Sequence, residues 1–237
     1  MSTKSEKPRG EMVPFMLNGA EVQADPRWSL LEAIKFYGIY IPTLCYDEGL
    51  TPYGVCRMCV VEVGSGNRTK LVASCMHPVI EGLNVRTHSS RVIKTRKMIL
   101  ELLIARCPSS KKLQDMAAML ELKQVRFEPL NDDCILCGLC VRMCEEQMVA
   151  KAIGYAGRGT NRYITTPFDM TSDECRKCGA CMYICPACEL RCQGPEAKTT
   201  LCSGCINTEP VCAPTYGDAM CFMVPCLSCV KKPEDVK

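Results

Sequence analysis

Residues 134–144 read CILCGLCVRMC and residues 175–185 read CRKCGACMYIC. Both are C-x2-C-x2-C-x3-C, and the repeat decides how the middle of the chain folds. Four thiolates at this spacing wrap one [4Fe–4S] cubane. In paired motifs of this kind the fourth cysteine ligates the other cluster. The first cubane then falls to Cys134, Cys137, Cys140 and Cys185, and the second to Cys175, Cys178, Cys181 and Cys144. Crossed ligation keeps two cubanes close together, which suits electron hopping. Gly138 and Gly179 follow the second cysteine of each motif, where a side chain would crowd a sulfide. The first motif continues Cys144-Glu145 where the second has Cys185-Pro186, a departure that removes no ligand. Zinc is the other metal that such spacings serve, but it has little use for eight thiols arranged as two identical quartets.

Upstream, MVPFMLNGAEVQAD reads as a strand, an Asn18-Gly19 turn and a second strand. RWSLLEAIKFYG reads as a helix, with Ser29 and Glu32 as a capping box and Gly38 as its stop. The chain then presents Cys45, Cys56, Cys59 and Cys75 as C-x10-C-x2-C-x15-C. CVVEV and KLVAS form a hairpin around Gly64–Asn67. Three of these cysteines share a loop and the fourth lies at a strand end. This is the architecture of a [2Fe–2S] cluster held against a β-grasp sheet, each iron taking two thiolates. The spacing differs from the plant-type C-x4-C-x2-C. Four buried or zinc-bound thiols are the alternative reading.

SSRVIKTRKMILELLIARCP predicts an amphipathic helix capped by Ser89 or Ser90 and ended by Cys107-Pro108, with a second helix over KKLQDMAAMLEL. Met116 and Met119 read as core. Cys107 reads as a packed helix-end thiol. His77 and His88, the two histidines, read as loop residues that are solvated or hydrogen-bonded rather than ligating.

With these elements in order, the chain resembles the iron–sulfur subunits of the respiratory complex I large-subunit family. That family takes in the diaphorase subunits of NAD-linked hydrogenases and formate dehydrogenases and the N-terminal part of iron-only hydrogenases. The resemblance covers roughly residues 12–186. Many members carry a further cluster on H-x3-C-x2-C-x5-C. Anchored on Cys107, the other three positions are Leu103, Ser110 and Met116 here, so no cluster is expected there. AIGYAGRGTNRYITTPFD, between the cubane motifs, is similar to the R-G…R…T-P-F segment of the hydrogenase and formate dehydrogenase relatives. It also reads as a hairpin with turn glycines. No G-x-G-x-x-G follows a strand, so nicotinamide or flavin chemistry would belong to a partner subunit.

The expected fold class is α+β. Residues 12–88 form a β-grasp [2Fe–2S] domain. Residues 89–125 form a helical linker that lacks the family's cluster of one histidine and three cysteines. Residues 126–187 form a two-[4Fe–4S] ferredoxin-like module, and 188–237 an irregular, Cys-rich, metal-binding tail. That tail holds Cys188, Cys192, Cys202, Cys205, Cys212, Cys221, Cys226 and Cys229. Cys202-x2-Cys205 and Cys226-x2-Cys229 suit zinc or a [4Fe–4S] cluster alike. CSGCINTEPVC is similar to part of the C-x2-C…E-P-x-C pattern of multi-cluster ferredoxin subunits of molybdenum oxidoreductases, but its continuation differs. One or two further [4Fe–4S] clusters, or zinc, are expected there. Disulfides or unligated thiols are the remaining alternative.

Composition bounds the rest. The chain has 21 cysteines in 237 residues, and MSTKSEKPRGEMVPF has no apolar stretch like that of a secretory signal. The expected setting is therefore a reducing, cytoplasmic one, where close-spaced cysteines bind metal rather than pair. The formal charge of +3 and the dispersed Lys and Arg give no sign of nucleic-acid binding. No apolar run is long enough to span a membrane directly. The expected function is an electron relay between a flavin or NAD(P)-binding subunit and a catalytic oxidoreductase subunit, itself needing no acid, base or nucleophile. The alternative is a free-standing multi-cluster carrier. A self-contained iron-only hydrogenase needs a catalytic domain beyond residue 186. The succinate dehydrogenase type of iron–sulfur subunit uses a shorter first loop.

Overall fold

The computed structural model describes residues 12–187 apart from 67, 131 and 171. The eight tail cysteines, Cys188 to Cys229, lie outside the described residues. The chain divides into two compact units, with the boundary between Leu100 and Glu101 and with residues 47–51 belonging to the second unit.

The first unit is built on a five-stranded sheet. Strands β1 (Val13–Leu17) and β2 (Ala20–Ala24) form an antiparallel hairpin. Asn18 and Gly19 take positive φ at its turn, the conformation an Asn-Gly pair adopts with least strain. The Asn18 side chain also reaches across to Thr87, accepting from its amide at 2.9 Å and donating to its hydroxyl at 2.8 Å. The turn thereby pins the end of β5 (Asn84–Arg86), a short strand with no sequence signal, parallel to β1. Strand β3 (Val60–Ser65) lies antiparallel to β5 and to β4 (Arg68–Ala73), giving the order β2-β1-β5-β3-β4. The β3–β4 turn is tighter than the sequence suggests, since Ser65 already pairs with Arg68.

Helix α1 (Leu30–Phe36) starts at the expected capping box. The Ser29 hydroxyl accepts from the Glu32 amide at 3.3 Å, and the Ser29 amide donates to the Glu32 carboxylate at 2.8 Å. A cap of this kind is worth about 1 kcal/mol. Leu30, Leu31, Ala33 and Ile34 turn inward against Phe15, Leu17, Val61, Val63 and Val85, the core of the unit. Helix α2 (Ser90–Arg106) begins in this unit and ends in the second; Ser89 caps it, accepting from the Val92 amide at 3.3 Å.

The second unit has little regular structure. Helix α3 (Lys111–Met119) buries Leu113 and Met116. Met119 is 61% exposed, so of the two methionines assigned to the core only Met116 belongs there; Met119 sits on the outward side of the last turn. Helices α4 (Leu139–Arg142) and α5 (Ala180–Tyr183) have one turn each, and α4 runs on into a π-helical turn, Met143–Gln147. A hairpin of β6 (Gly154–Ala156) and β7 (Tyr163–Thr165) connects the two cysteine motifs, with Arg162 stacked over the Tyr155 ring. No helix among the described residues is long and apolar enough to cross a membrane.

Candidate iron–sulfur sites

In the first unit Cys45, Cys56 and Cys59 lie on the loop leading into β3, and Cys75 follows β4 by two residues. All four are buried, between 1% and 8% exposed. The Cys59 and Cys75 sulfurs share a hydrogen bond at 3.4 Å, and the Cys56 amide donates to the Cys45 sulfur at 3.5 Å. Ser74, wholly buried, donates to the Cys59 carbonyl at 2.7 Å and fixes the loop to the strand end. The Cys75 thiol hydrogen bond, helped by the Cys75 amide and Ser74, draws the Cys59 thiol down against the opposing effect of burial. Cys75 and Cys56 are pushed up, each first by the hydrogen bond to its partner sulfur and then by burial. Four thiols packed this closely form a donor set that suits a dinuclear cluster taking four thiolates.

In the second unit the two motifs fold alike. Leu136 and Lys177, each just before the second cysteine of its motif, have positive φ, as do Gly138 and Gly179 just after it. A glycine costs nothing in that conformation and a branched leucine does. The Leu136 amide donates to the Cys134 sulfur at 3.3 Å, and the Ala152 amide to the Cys144 sulfur at 3.3 Å. Amide–sulfur bonds stabilise thiolates and tune a cluster's potential.

The structure also brings residues together across the motifs. A cavity of about 50 Å³ is lined by Cys175, Cys178 and Cys181 of the second motif and by Cys144 of the first. Cys140 is pushed well up by burial, then by Cys185, Cys137, Cys134 and Cys181, the cysteines gathered around it. Two positioning contacts flank this second group. Arg106 donates to the Cys134 carbonyl at 2.7 Å while paired with Asp132 at 2.6 Å, and Asp132 accepts from the Cys134 amide at 3.2 Å. The buried Ser110 hydroxyl donates at 3.0 Å to the carbonyl of Pro186, the residue after Cys185. Ser110 thereby braces the chain just after Cys185. Cys107 is buried, and burial pushes its thiol up.

The glutamate after Cys144 has its own consequence. Proline there would lack an amide; without it the backbone continues through the π-helical turn. That turn presents Glu146 to the Thr51 amide at 2.7 Å, with Gln147 and Arg142 donating to the Gly49 and Thr51 carbonyls. The long C-x10-C spacing is what supplies residues 47–51, and this role is invisible in the sequence. His77 bonds the Pro78 carbonyl and His88 the Thr87 hydroxyl, as expected of loop histidines. Among the described residues no cysteine is joined in a disulfide, and no three His, Cys, Asp or Glu side chains gather tightly enough to hold a single metal ion.

Two family models match the chain: a 2Fe-2S iron-sulfur cluster binding domain over residues 10–90 and a 4Fe-4S dicluster domain over residues 133–189. The NADPH-Fe(3+) oxidoreductase subunit alpha of Geobacter sulfurreducens is 30% identical over 180 residues, covering 65% of this chain and 21% of that protein. An NADH-quinone oxidoreductase subunit of Rhizobium meliloti is 31% identical over 181 residues, covering 65% and 21%. A crystal structure of NAD+-reducing [NiFe]-hydrogenase in the H2-reduced state aligns with a TM-score of 0.58 at 29% identity, over 65% of this chain and 74% of that one. The chain is thus similar to iron–sulfur-binding subunits of NAD(P)H- and quinone-linked oxidoreductases and of an NAD+-reducing hydrogenase. It joins a 2Fe-2S cluster binding domain to a 4Fe-4S dicluster domain within an α+β fold. It spans about a fifth of the length of the curated relatives it matches.

Proposed function

We propose that the chain is an electron-relay subunit of a cytoplasmic, multi-subunit oxidoreductase, passing single electrons between a flavin or NAD(P)-linked subunit and a catalytic subunit. Cys45, Cys56, Cys59 and Cys75 hold the [2Fe–2S] cluster. Cys134, Cys137, Cys140 and Cys185 hold one [4Fe–4S], and Cys175, Cys178, Cys181 and Cys144 the other. The clusters, when bound, supply reversible one-electron redox chemistry. The protein's part is to bury the first quartet, direct amides at sulfur, and brace the cubane loops through Arg106 and Ser110. The observation that carries the reading is the shared lining of one cavity by Cys144 with the second motif's first three cysteines. The domains follow the segments 12–88, 89–125, 126–187 and 188–237. The tail's eight cysteines hold one or two further [4Fe–4S] clusters, or zinc.

Anaerobic purification followed by iron, zinc and acid-labile sulfide analysis tests this. About ten irons per chain correspond to three clusters, and about fourteen or eighteen to one or two more in the tail. Ten irons with one or two zinc ions assign zinc to the tail. Fewer than about ten in intact protein overturns the three-cluster core. Isolation as a monomer that exchanges electrons with small carriers would favour a free-standing multi-cluster carrier instead.

A further inference from the structure

Arg96, on α2, is 1% exposed and the largest of the fully buried side chains. It lies in the first unit, the one that carries Cys45, Cys56, Cys59 and Cys75. Its Nη2 donates to the Val60 carbonyl at 2.7 Å, one residue past Cys59. Its Nε is buried and has no hydrogen-bond partner among the described residues.

Nor does a carboxylate among the described residues balance its charge. Glu62, two residues along the same strand as Val60, is held by Ser89 and Thr69 and faces Arg86 and Arg91 instead. The groups that favour the charged guanidinium are Cys59 and Tyr40. His88 lies on the like-charge side, and burial and then Arg96 push its imidazole down. Burial brings Arg96 itself to about 10, which still leaves it a cation at neutral pH. A buried cation with one donor unspent and no carboxylate is strongly disfavoured unless an anion arrives. Four ligating thiolates with two sulfides and two ferric ions carry two net negative charges, and reduction adds one electron and a third charge with no proton required.

We propose that Arg96 is the internal counter-cation of the [2Fe–2S] site. It offsets the buried charge of the cluster and raises its reduction potential, because the attraction is larger for the reduced form. The inference rests on the [2Fe–2S] reading of the first four cysteines. Arg96 touches no reacting atom in this role; it acts through the charge it places beside Cys59 and through the carbonyl of Val60.

The test uses the full chain, purified anaerobically, as wild type, Arg96→Lys and Arg96→Met. Each is titrated potentiometrically with dithionite and mediators while the [2Fe–2S] electron paramagnetic resonance signal is followed. Arg96→Met is expected to lower the midpoint so that, at the wild-type midpoint, the oxidised-to-reduced ratio rises at least tenfold, which is about 59 mV for one electron. Arg96→Lys is expected to retain most of the wild-type value, and the cubane midpoints to stay put in both. Loss of the [2Fe–2S] signal from Arg96→Met alone, with Arg96→Lys loaded, also supports a requirement for charge. An unchanged midpoint in loaded Arg96→Met overturns the proposal. So does an equal shift, or an equal loss of signal, in Arg96→Lys, since shape rather than charge would then matter. A wild-type protein with cubane signals but no [2Fe–2S] signal would sink the underlying reading and this inference together.

Discussion

The two units hold their cysteines by opposite means. In the first, a five-stranded sheet and α1 enclose a side-chain core, and all four cysteines lie at its buried edge. In the second, only Cys137 among the eight motif cysteines is buried, and Cys178 is exposed. Its regular structure around them is a pair of one-turn helices, a π-helical turn and a hairpin of three-residue strands. Helices of one turn are unstable alone, and an isolated two-stranded hairpin is marginal. One unit therefore brings a fold to its cluster. The other needs its clusters to complete the fold, so that their binding energy becomes folding energy.

Removing the iron should expose this difference most sharply. In chain stripped by chelator under anaerobic conditions, hydrogen exchange should find β1, β3 and β5 still protected. Amides of residues 139–147 and 180–185 should exchange at close to unfolded rates. If β3 loses protection as completely as α4, the first unit is metal-dependent too and the contrast disappears. Next in size is loss of a single cluster. With crossed ligation, Cys144→Ala and Cys178→Ala should abolish the same cubane signal in electron paramagnetic resonance, while Cys140→Ala abolishes the other. If Cys144→Ala and Cys140→Ala remove the same signal, each motif serves its own cluster.

The contrast also separates what could be read in the sequence from what could not. Local signals were legible. Asn18-Gly19, the Ser29–Glu32 capping box, the α2 and α3 spans and the inter-motif hairpin all depend on neighbours a few residues apart, and they form as the pattern implies. The cysteine spacings carried the cluster domains for the same reason. Features made by distant residues were not legible. Strand β5 is three residues long and is set by pairing with β1 and β3 and by the reach of Asn18 to Thr87. Leu136 and Lys177 look ordinary until the backbone shows both in the left-handed region. Nothing in the sequence sets Arg96 apart from the other basic residues of α2, yet it is among the most buried of the described residues. One hint was available: it lies four positions before Leu100, another fully buried residue of α2.

Smaller effects sharpen the comparison further. Phe15→Ala removes a 1%-exposed ring from the first unit's core and should cost about 3–5 kcal/mol in denaturant unfolding. That loss should appear in the cluster-free chain as well, because the core forms without metal. The two hairpins allow a matched test. A Cβ added to Gly64 would meet the Arg68 carbonyl at 2.2 Å, and one added to Gly157 the Asn161 carbonyl at 2.2 Å, both from positive φ. Each alanine variant should lose roughly 1–3 kcal/mol through backbone strain. Only Gly157→Ala should quicken cubane loss during air exposure, followed by the decay of visible absorbance. Equal decay in Gly64→Ala would mean that the second unit is no more dependent on local geometry than the first.

The smallest expected effect is on acid stability, and it has one group in each unit. Arg27 hydrogen-bonds the Asp25 carboxyl and holds it at about 2. Arg126 in the same way holds Glu101 below the usual carboxylate range, with nitrogen and oxygen 2.6 Å apart. Both folded-state values are depressed, so each carboxylate contributes stability above its unfolded value, near 3.9 for Asp and 4.3 for Glu. That contribution fades as pH falls through this range toward the folded value, because the unfolded chain then binds the proton first. Asp25→Asn should therefore flatten the acid limb of the first unit's unfolding curve, read by exchange in β1, between about pH 4 and 2. It should leave the second unit's curve unchanged, while Glu101→Gln does the reverse. Because the arginine of each pair meets solvent, both slopes should weaken in high salt. A slope that persists there would point to another carboxylate, and Glu62, held low by Ser89 and Thr69, would be the next residue to substitute.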